Sequence, residues 1–177
     1  MSIILILLTA IGLSMDAFSL ALIYGTLNMR SKMNNIMSIT VGIFHFFMPI
    51  LGYTIGQIIL NIIRINPNIL VGIIFIILAI EMLISLKKEE QVKVLTNILS
   101  VILFAFTVSI DSFSVGIAYG ALKNNIVLAG IIFSIVSALF TYGGVNMGKR
   151  LVNKYGNIAN IIGSIILLIL GISYLIK

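Results

Sequence analysis

Two aspartates have unusual surroundings, because each one interrupts an apolar run in a chain with few charges. Asp16 lies in SMDAFSLALIYG (residues 14–25), and Asp111 lies in SIDSFSVGIAYG (residues 109–120). The two stretches share serine, aspartate, phenylalanine, serine, tyrosine and glycine at one constant offset. A charged aspartate near the centre of a membrane helix costs roughly 2.5–3.5 kcal/mol on insertion scales. Because this cost arises twice, at equivalent positions, the two acids are expected to share a task.

The residues around these acids predict an oxygen-rich cation site. Ser19 and Ser114 each follow their aspartate by three positions, so each hydroxyl shares a helical face with the carboxylate. Two carboxylates with hydroxyls, carbonyls and water suit Mg²⁺, Ca²⁺ or Mn²⁺ better than Cu⁺ or Zn²⁺. The expected metal ligands, facing a shared cavity, are Asp16, Asp111, Ser19 and Ser114. The alternative is a pair of protonated structural acids that form hydrogen bonds across helices.

Two further titratable side chains are second-tier candidates for gating or ion entry. His45 lies in FHFFMP, where a lone histidine either packs in the interior or controls the passage of cations or protons. Glu81 lies about two turns before the end of its span, close to the charge cluster KKEEQVK (residues 87–93). It either pairs with a nearby lysine or receives the ion at an entrance. Its counterpart in the second half is Ser173, so symmetry gives Glu81 no central role.

Proline, glycine and tyrosine residues predict features of helix geometry. Pro49 removes one helical hydrogen bond and predicts a break in the second span. Gly52 and Gly56 form a Gly-x-x-x-Gly pattern, which is typical of close helix packing rather than ligand binding. Tyr24 and Tyr119 lie near span ends and are expected to anchor the helices at the membrane surface.

The elements that position these residues are predicted to be membrane helices. Of the 177 residues, 60% are hydrophobic and 9% are charged, and the mean hydropathy is +1.24. Apolar runs of about 18 or more residues recur, and each is long enough to cross a bilayer. The fold class is therefore an all-α membrane protein. Six transmembrane helices are predicted at about 3–27, 36–60, 68–86, 97–122, 125–148 and 157–176.

The composition also excludes several classes of function. The chain has no cysteine and one histidine, which excludes disulfides, zinc–thiolate sites, thiol catalysis and a multi-histidine metal site within one chain. The net charge is +6, but the basic residues lie in short connections, where they set membrane topology rather than bind nucleic acid. No ATP-binding motif is present, so a proton or the membrane potential is expected to drive transport.

The basic residues are distributed unevenly between alternate connections. Eight of the 11 Lys and Arg residues fall in the first, third and fifth connections, and three fall in the second, the fourth and the C-terminus. The positive-inside rule places the richer set in the cytoplasm. Both termini are then extracytoplasmic, and the helices have the lipid bilayer as their partner.

The repeat extends beyond the aspartate motifs. Gly52 and Gly56 fall opposite Gly144 and Gly148, so each half of the chain contains three spans. An odd number of spans per half means that the second half enters the membrane in the opposite sense. Inverted repeats of this kind are typical of transporters that work by alternating access, with the site near the midplane. The predicted organisation is one membrane domain (1–177), with repeat one at about 1–86, a cytoplasmic loop at about 87–96 and repeat two at about 97–177.

The two motifs resemble those of a known family. SMDAF in the first span and SIDSF in the fourth are similar to the bacterial manganese efflux pumps, MntP, and their YtaF-like sporulation relatives in the LysE-like transporter group. The resemblance implies a six-helix exporter of Mn²⁺ in the bacterial plasma membrane, which is not an enzyme and carries no cofactor. Asp16 and Asp111 match the family's membrane-embedded aspartates. His45 and Tyr24 depart from it, since the manganese exporters tend to have an acidic and a basic residue there.

Three other functions fit parts of the pattern. An intramembrane aspartyl protease would use two aspartates that share a proton, but neither aspartate here lies in the Gly-x-Gly-Asp motif of such proteases. An exporter of another cation or a small organic solute is a second alternative; an amino-acid substrate would need a basic anchor inside the spans. A non-transporting membrane protein of the sporulation envelope would keep working after Asp16→Asn or Asp111→Asn, whereas a transporter would not.

Overall fold

The computed structural model describes residues 3–27, 30–62, 66–85, 97–122, 125–148 and 154–176, and these ranges contain helices but no strand. The predicted cytoplasmic loop at 87–96 lies outside the described residues. The helices, in chain order, are α1 (Ile3–Thr26), α2 (Ser31–Ile62), α3 (Pro67–Ser85), α4 (Ile98–Val108), α5 (Ile110–Ala121), α6 (Ile126–Gly148) and α7 (Lys154–Leu175).

These helices have the length and composition of membrane spans. Within the described chain, α1, α2, α3, α4 with α5, and α6 are long and apolar enough to cross a bilayer, and α7 contains a shorter apolar stretch, Ile161–Leu175. On the outer face of α2, Ile39, Ile43, Phe47 and Leu51 recur every four residues and are between 49% and 61% exposed. An apolar outer face of this kind is suited to lipid. The prediction of an all-α, multi-pass membrane protein is confirmed.

The second span begins earlier than predicted. α2 starts at Ser31 and not near residue 36, and its 32 residues are about 48 Å long, compared with roughly 30 Å for the hydrocarbon core of a bilayer. The extra turns pack against the end of α6, where buried Asn34 donates from Nδ2 to Asn146 Oδ1 at 3.4 Å. Polar residues that were expected in a connection therefore form the first turns of a helix.

Pro49 does not break α2, so the prediction of a break there was wrong. The helix continues through this position while α5 packs directly against it. A Cβ added to Gly116 of α5 would lie against the backbone of Pro49. Pro49 therefore takes part in the close packing of α2 on α5 while it stays within a continuous helix.

The break lies instead in the fourth span, at Ser109, where α4 ends and α5 begins. Ser109 has φ −99° and ψ 0°, which is outside the α-helical region. Its backbone N–H donates to Phe106 O at 3.2 Å, and its hydroxyl donates to the same oxygen at 2.9 Å. A serine hydroxyl that bonds to a nearby carbonyl competes with the helix in this way. The span predicted at 97–122 therefore consists of two helices, and Asp111 lies in the first turn of the second.

The helices of each half pack mainly against helices of the other half. α1 packs on α6, α2 packs on α5 and α6, and α3 packs on α7. Two of these interfaces are reciprocal: the second helix of each half lies on the first helix of the opposite half. The body formed by α1, α2, α4, α5 and α6 is therefore interlocked, and α3 and α7 form a pair beside it.

Glycines allow the backbones to touch at the two reciprocal interfaces. In each case a Cβ added to the glycine would lie against a backbone oxygen of the opposite helix, which a real side chain could not do without moving the helix. The glycines therefore serve close helix packing, as their spacing predicted. The corresponding pairs are Gly52 with Phe113, Gly56 with Ile117, Gly144 with Phe18 and Gly148 with Leu22.

Tyr24 and Tyr119 are core residues, so the prediction that they anchor the membrane surface was wrong. Tyr24 is 9% exposed and Tyr119 is fully buried. Their rings pack edge-on or tilted against Phe104 and Phe133, with ring centroids 5.0 Å and 5.7 Å apart. Aromatic contacts at such distances stabilise a core by about 0.5–1.5 kcal/mol beyond area burial.

Candidate cation site

A cavity of about 510 Å³ lies between α1, α3, α4 and α5. Asp16 lines it from α1, Glu81 from α3 and Asp111 from α5, so three of the chain's five acidic residues meet there. Thr107 of α4 adds a hydroxyl, and the rest of the wall is apolar. An apolar cavity with a few polar groups directed into it is the usual form of a small-ligand site.

The two aspartates reach the cavity from different backbones. Asp16 lies in the unbroken α1, whereas Asp111 lies in the first turn of α5, just after the break at Ser109. Both residues are half-buried. The N-terminus of a helix carries partial positive charge, which favours a nearby carboxylate by about 0.3–1 kcal/mol. The break therefore gives Asp111 a favourable electrostatic contact that α1 does not give Asp16.

Glu81 joins the aspartates through the register of α3. It lies on one helical face with Ile77, Ile80 and Ile84, and all four line the cavity. Symmetry of the repeat predicted no central role for Glu81, because its counterpart is Ser173. That comparison does not take account of the helical face on which Glu81 lies. The available signal was the spacing of one acid within an otherwise apolar helical stripe.

The acids surround the cavity but do not form a closed metal site in this conformation. Among the residues that the structure describes, no group of three carboxylate or imidazole side chains is close enough to hold a metal ion. The cavity is much larger than the roughly 30 Å³ that one water occupies in the liquid. It can therefore accommodate a divalent cation together with several waters, which hard cations such as Mg²⁺ often keep when bound to protein.

Ser19 and Ser114 do not line the cavity. Ser19 is buried, and its neighbour Leu20 forms the wall instead. Ser114 is half-buried. The hydroxyl that does line the cavity belongs to Thr107, which lies one turn before Asp111 and donates to Leu103 O at 2.9 Å. Ion ligation by the two serines stays a prediction.

His45 also lies away from the cavity, in the interior of the bundle. It is fully buried, and its Nδ1 is 3.0 Å from Val41 O one turn earlier in α2. Its Nε2 has no hydrogen-bond partner among the residues that the structure describes. The packing supports the interior role that was one of its two expected roles, and its part in gating stays a prediction.

The cavity extends from the two aspartates towards one end of the bundle. On α3 its wall runs from Ile77 to Ile84, which is one residue before the end of the helix at Ser85. Beyond this end the sequence continues into the predicted cytoplasmic loop with its cluster of lysines and glutamates. Ile77, Ile80, Glu81 and Ile84 are exposed, so the cavity is a half-open groove beside this end of α3.

The sequence matches a known protein family along most of its length. A family model described as "Putative manganese efflux pump" matches residues 28–175. The chain belongs to the MntP family. MntP proteins of Bacillus pumilus, Geobacillus thermodenitrificans and Methanosphaera stadtmanae are 32%, 31% and 31% identical to it. These matches cover 94%, 95% and 97% of this chain and 91%, 92% and 97% of the relatives.

The region matched to MntP proteins spans both aspartate motifs. The family model begins after Asp16. The alignment with the Bacillus pumilus protein spans 167 of the 177 residues, so it must include residue 16. The family is described as a pump, which is a transporter and not an enzyme class. No solved structure matches the chain.

Proposed function

We propose that this chain exports a divalent metal cation, Mn²⁺, across the bacterial plasma membrane. The observation that carries the proposal is the meeting of Asp16, Asp111 and Glu81 at one half-open cavity between apolar helices. Carboxylates gathered in a setting of low polarity repel one another unless a cation balances them. Three of them around one cavity therefore favour a divalent cation as the occupant.

The side chains have different proposed parts. Asp16 and Asp111 are the central ligands, because they lie on the two equivalent helices of the repeat. Glu81 receives the ion on the side of α3 and raises the negative charge of the cavity. Ser19 and Ser114 are ligand candidates for a conformation in which the helices close around the ion, and His45 is a candidate for gating from the interior of the bundle.

Two arguments favour manganese over other divalent cations. The relatives in the family carry manganese efflux in their names. The donors at the cavity are oxygens, the chain has no cysteine, and its single histidine lies elsewhere in the bundle. Oxygen donors of this kind suit Mg²⁺, Ca²⁺ and Mn²⁺, whereas soft sulfur donors select copper or zinc.

The proposed mechanism is alternating access within one membrane domain built from two inverted three-helix repeats. The reciprocal packing of α1 on α6 and of α2 on α5 supports this organisation, because an internal two-fold relation would produce such pairs. Alternating access in such folds moves one set of helices against another around a fixed site. A proton or the membrane potential is the proposed driving force.

The proposed orientation places the open end of the cavity in the cytoplasm. The positive-inside count puts the connection after α3 on that side and both termini outside. An ion would then enter from the cytoplasm beside Glu81 and move towards Asp16 and Asp111. This order suits an exporter, since the cavity receives ions from the cytoplasm, where an exporter lowers their concentration.

The experiment that tests the proposal measures manganese in a bacterium that lacks its own exporter. The cells carry the unsubstituted chain, Asp16→Asn, Asp111→Asn or the control Thr54→Ala, whose hydroxyl is exposed and bonds to Leu51 O within α2. The unsubstituted chain and the control are expected to lower cell manganese and to permit growth in excess Mn²⁺. Both Asn variants are expected to fail at equal expression, because each leaves the ion with one central carboxylate fewer.

Two outcomes would contradict the proposal. An unsubstituted chain that is well expressed but changes neither cell manganese nor growth would exclude Mn²⁺ export. Screening of other divalent cations and of amino acids would then separate a different exporter from a non-transporting membrane protein. Asn variants that keep full activity would exclude the aspartates as ion ligands, although export itself would stand.

A further inference from the structure

Two corresponding helix interfaces differ in this structure, and their difference points to the path by which the ion leaves. In one half, the first helix (α1) packs closely along the third helix of the opposite half (α7). In the other half, α4 and α5 lie opposite α3, and this less extensive contact is where the cavity opens. The interface of α1 with α7 is thus closed, whereas the corresponding interface of α4 and α5 with α3 is open.

The constant offset of the aspartate motifs shows which residues of α1 correspond to the cavity wall. Thr107, Val108 and Ile110 of the second half line the cavity directly before Asp111. Their counterparts before Asp16, at the same offset in the sequence, are Gly12, Leu13 and Met15.

Two of these counterparts, Gly12 and Met15, lie against α7. A Cβ added to Gly12 would lie 3.1 Å from the side chain of Leu167, and one added to Gly163 would lie 2.7 Å from Met15 Cβ. Leu13 is 2% exposed and Leu167 is fully buried. We call this contact, formed by Gly12, Met15, Gly163 and Leu167, the α1–α7 seam.

We propose that the α1–α7 seam opens as the extracytoplasmic exit for the ion, while α3 closes against α4 and α5. This inference rests on the proposed export function and on the proposed inverted repeat. The two central ligands keep their place, because the internal two-fold relation exchanges Asp16 with Asp111. The residues that would line the open exit are those that form the seam in this structure.

The packing supports movement of α3 and α7 as one pair. A Cβ added to Gly72 of α3 would meet Leu175, one added to Gly171 would meet Ile76, and the rings of Phe75 and Tyr174 are 5.9 Å apart. The α1–α6 and α2–α5 interfaces have closer backbone contacts than the seam. A Cβ on Gly148 would lie directly against Leu22 O and one on Gly52 against Phe113 O, whereas one on Gly163 would lie 3.0 Å from Gly12 O. The pair α3–α7 can therefore tilt against a rigid body, which opens one seam as it closes the other.

The difference in acidic residues between α3 and α7 also favours release of the ion on the extracytoplasmic side. Glu81 lines the cavity on α3, but residues 154–176, which include α7, contain no aspartate or glutamate. α7 would therefore line the exit without adding a carboxylate, whereas α3 adds Glu81 at the entrance. The exit attracts a cation less strongly than the entrance does.

A disulfide across the seam tests this inference, and the chain suits the test because it has no native cysteine. Gly12→Cys/Leu167→Cys joins α1 to α7 at a point of contact, and replacing Leu167 removes the atoms that crowd Gly12. The matched control is Ser14→Cys/Ser137→Cys, which joins α1 to α6 where the two Oγ atoms are 2.9 Å apart. Each protein is placed in vesicles, and Mn²⁺ flux is measured before oxidation, after oxidation and after reduction.

The oxidised seam variant is expected to lose Mn²⁺ flux, to regain it on reduction, and to bind Mn²⁺ in detergent in both states. The oxidised control is expected to keep its flux, because α1 and α6 do not separate. Flux at the control's rate through a seam variant whose cross-link is confirmed by mass spectrometry would overturn the inference and leave the export function intact. Absence of flux in the unsubstituted protein would overturn the export function, and the inference with it.

A second measurement does not need the double variant to fold. In Met15→Cys alone, residue 15 lies against Gly163 of α7 and is half-buried, so an extracytoplasmic, membrane-impermeant maleimide is expected to label it faster while Mn²⁺ is being moved. Equal labelling with and without Mn²⁺, or labelling only from the cytoplasmic side, would overturn the proposed exit.

Discussion

The two copies of the aspartate motif have the same sequence pattern but different backbones. In α1, the Ser14 hydroxyl donates four residues back, to Ala10 O at 2.6 Å, and lies 2.9 Å from Ser137 Oγ of α6. In the second copy, Ser109 donates three residues back, to Phe106 O, and α4 ends there. The end of α4 is marked by the backbone, because the Ser109 N–H donates three residues back, to Phe106 O. Hydroxyl bonds three residues back also occur within an unbroken helix, as at Thr54 of α2.

The two copies also meet different residues of their neighbouring helices. Opposite the first motif, α6 supplies the hydroxyl of Ser137. The equivalent residue of α2 is His45, whose Nδ1 is already bonded within its own helix to Val41 O. One copy therefore has a serine partner and an unbroken helix, and the other has a break that places Asp111 at a helix start.

The largest expected effect comes from the two acids themselves, and it tests whether they act as a pair despite their different backbones. Asp16→Asn and Asp111→Asn should each weaken Mn²⁺ binding at least about a hundredfold, which is about 2.7 kcal/mol. Calorimetric titration of the purified proteins measures this. A hundredfold loss for one variant with no loss for the other would show that only one half of the repeat holds the ion.

The glycine interfaces should respond equally in the two halves. Gly56→Ala and Gly148→Ala force a Cβ against Ile117 O and Leu22 O, so each should lower the free energy of unfolding by roughly 1–3 kcal/mol or more. Gly143→Ala is the matched control, because a Cβ there meets nothing within 4 Å. Thermal unfolding in detergent measures all three. A clear loss in only one half would argue against equivalent interfaces.

Glu81 has no acidic counterpart in the second half, and its substitution measures how much this asymmetry contributes to Mn²⁺ binding. Glu81→Gln should weaken Mn²⁺ binding about tenfold, less than either aspartate variant, because Glu81 contributes charge on one side of the cavity only. The same titration measures it, with Gln57→Ala, a change on α2 away from the cavity, as the control. A loss as large as that of Asp16→Asn would make Glu81 a third central ligand.

The smallest expected effect separates the two serines. Ser14→Ala removes a buried hydrogen bond to Ser137 and should lower the free energy of unfolding by about 1 kcal/mol. Ser109→Ala should cost less, because the Ser109 backbone N–H still donates to Phe106 O. The unfolding midpoints, which shift by about 2–4 °C per kcal/mol in a chain of this size, measure the difference. The reverse order would mean that the Ser109 hydroxyl supports the break more than we infer.

The sequence predicts the architecture well, because it depends on averages over many residues. Apolar length predicts the membrane helices, and glycine spacing predicts the helix contacts at Gly52 and Gly144. The sequence pattern does not predict features that depend on contacts between individual residues, such as the break in the fourth span. Serine occurs at the same place in both motifs, so the serine alone does not distinguish the break at Ser109 from the continuous helix at Ser14. The flanking residues differ, since β-branched Val108 and Ile110 stand where the first copy has Leu13 and Met15.

The same limit applies to the candidate site. Asp16 and Asp111 were predictable as cavity residues, since an isolated acid in an apolar span is costly unless it faces a polar space. Glu81 joins them only through the tilt and rotation of α3, which depend on its contacts with α7. Ser19 shares a helical face with Asp16 by spacing, but Leu20 lines the wall because the cavity lies to one side of that face.

The packing of each half on the other sets the order in which the protein can be made. α1 leaves the ribosome early, yet its main neighbour α6 begins only at Ile126. The first helices must therefore wait in the lipid, with the backbone of Gly25 uncovered, until the later helices arrive beside them. Each half alone therefore lacks the principal partners of its helices, whereas two separate half-chains that share a membrane contain every principal contact of the intact protein.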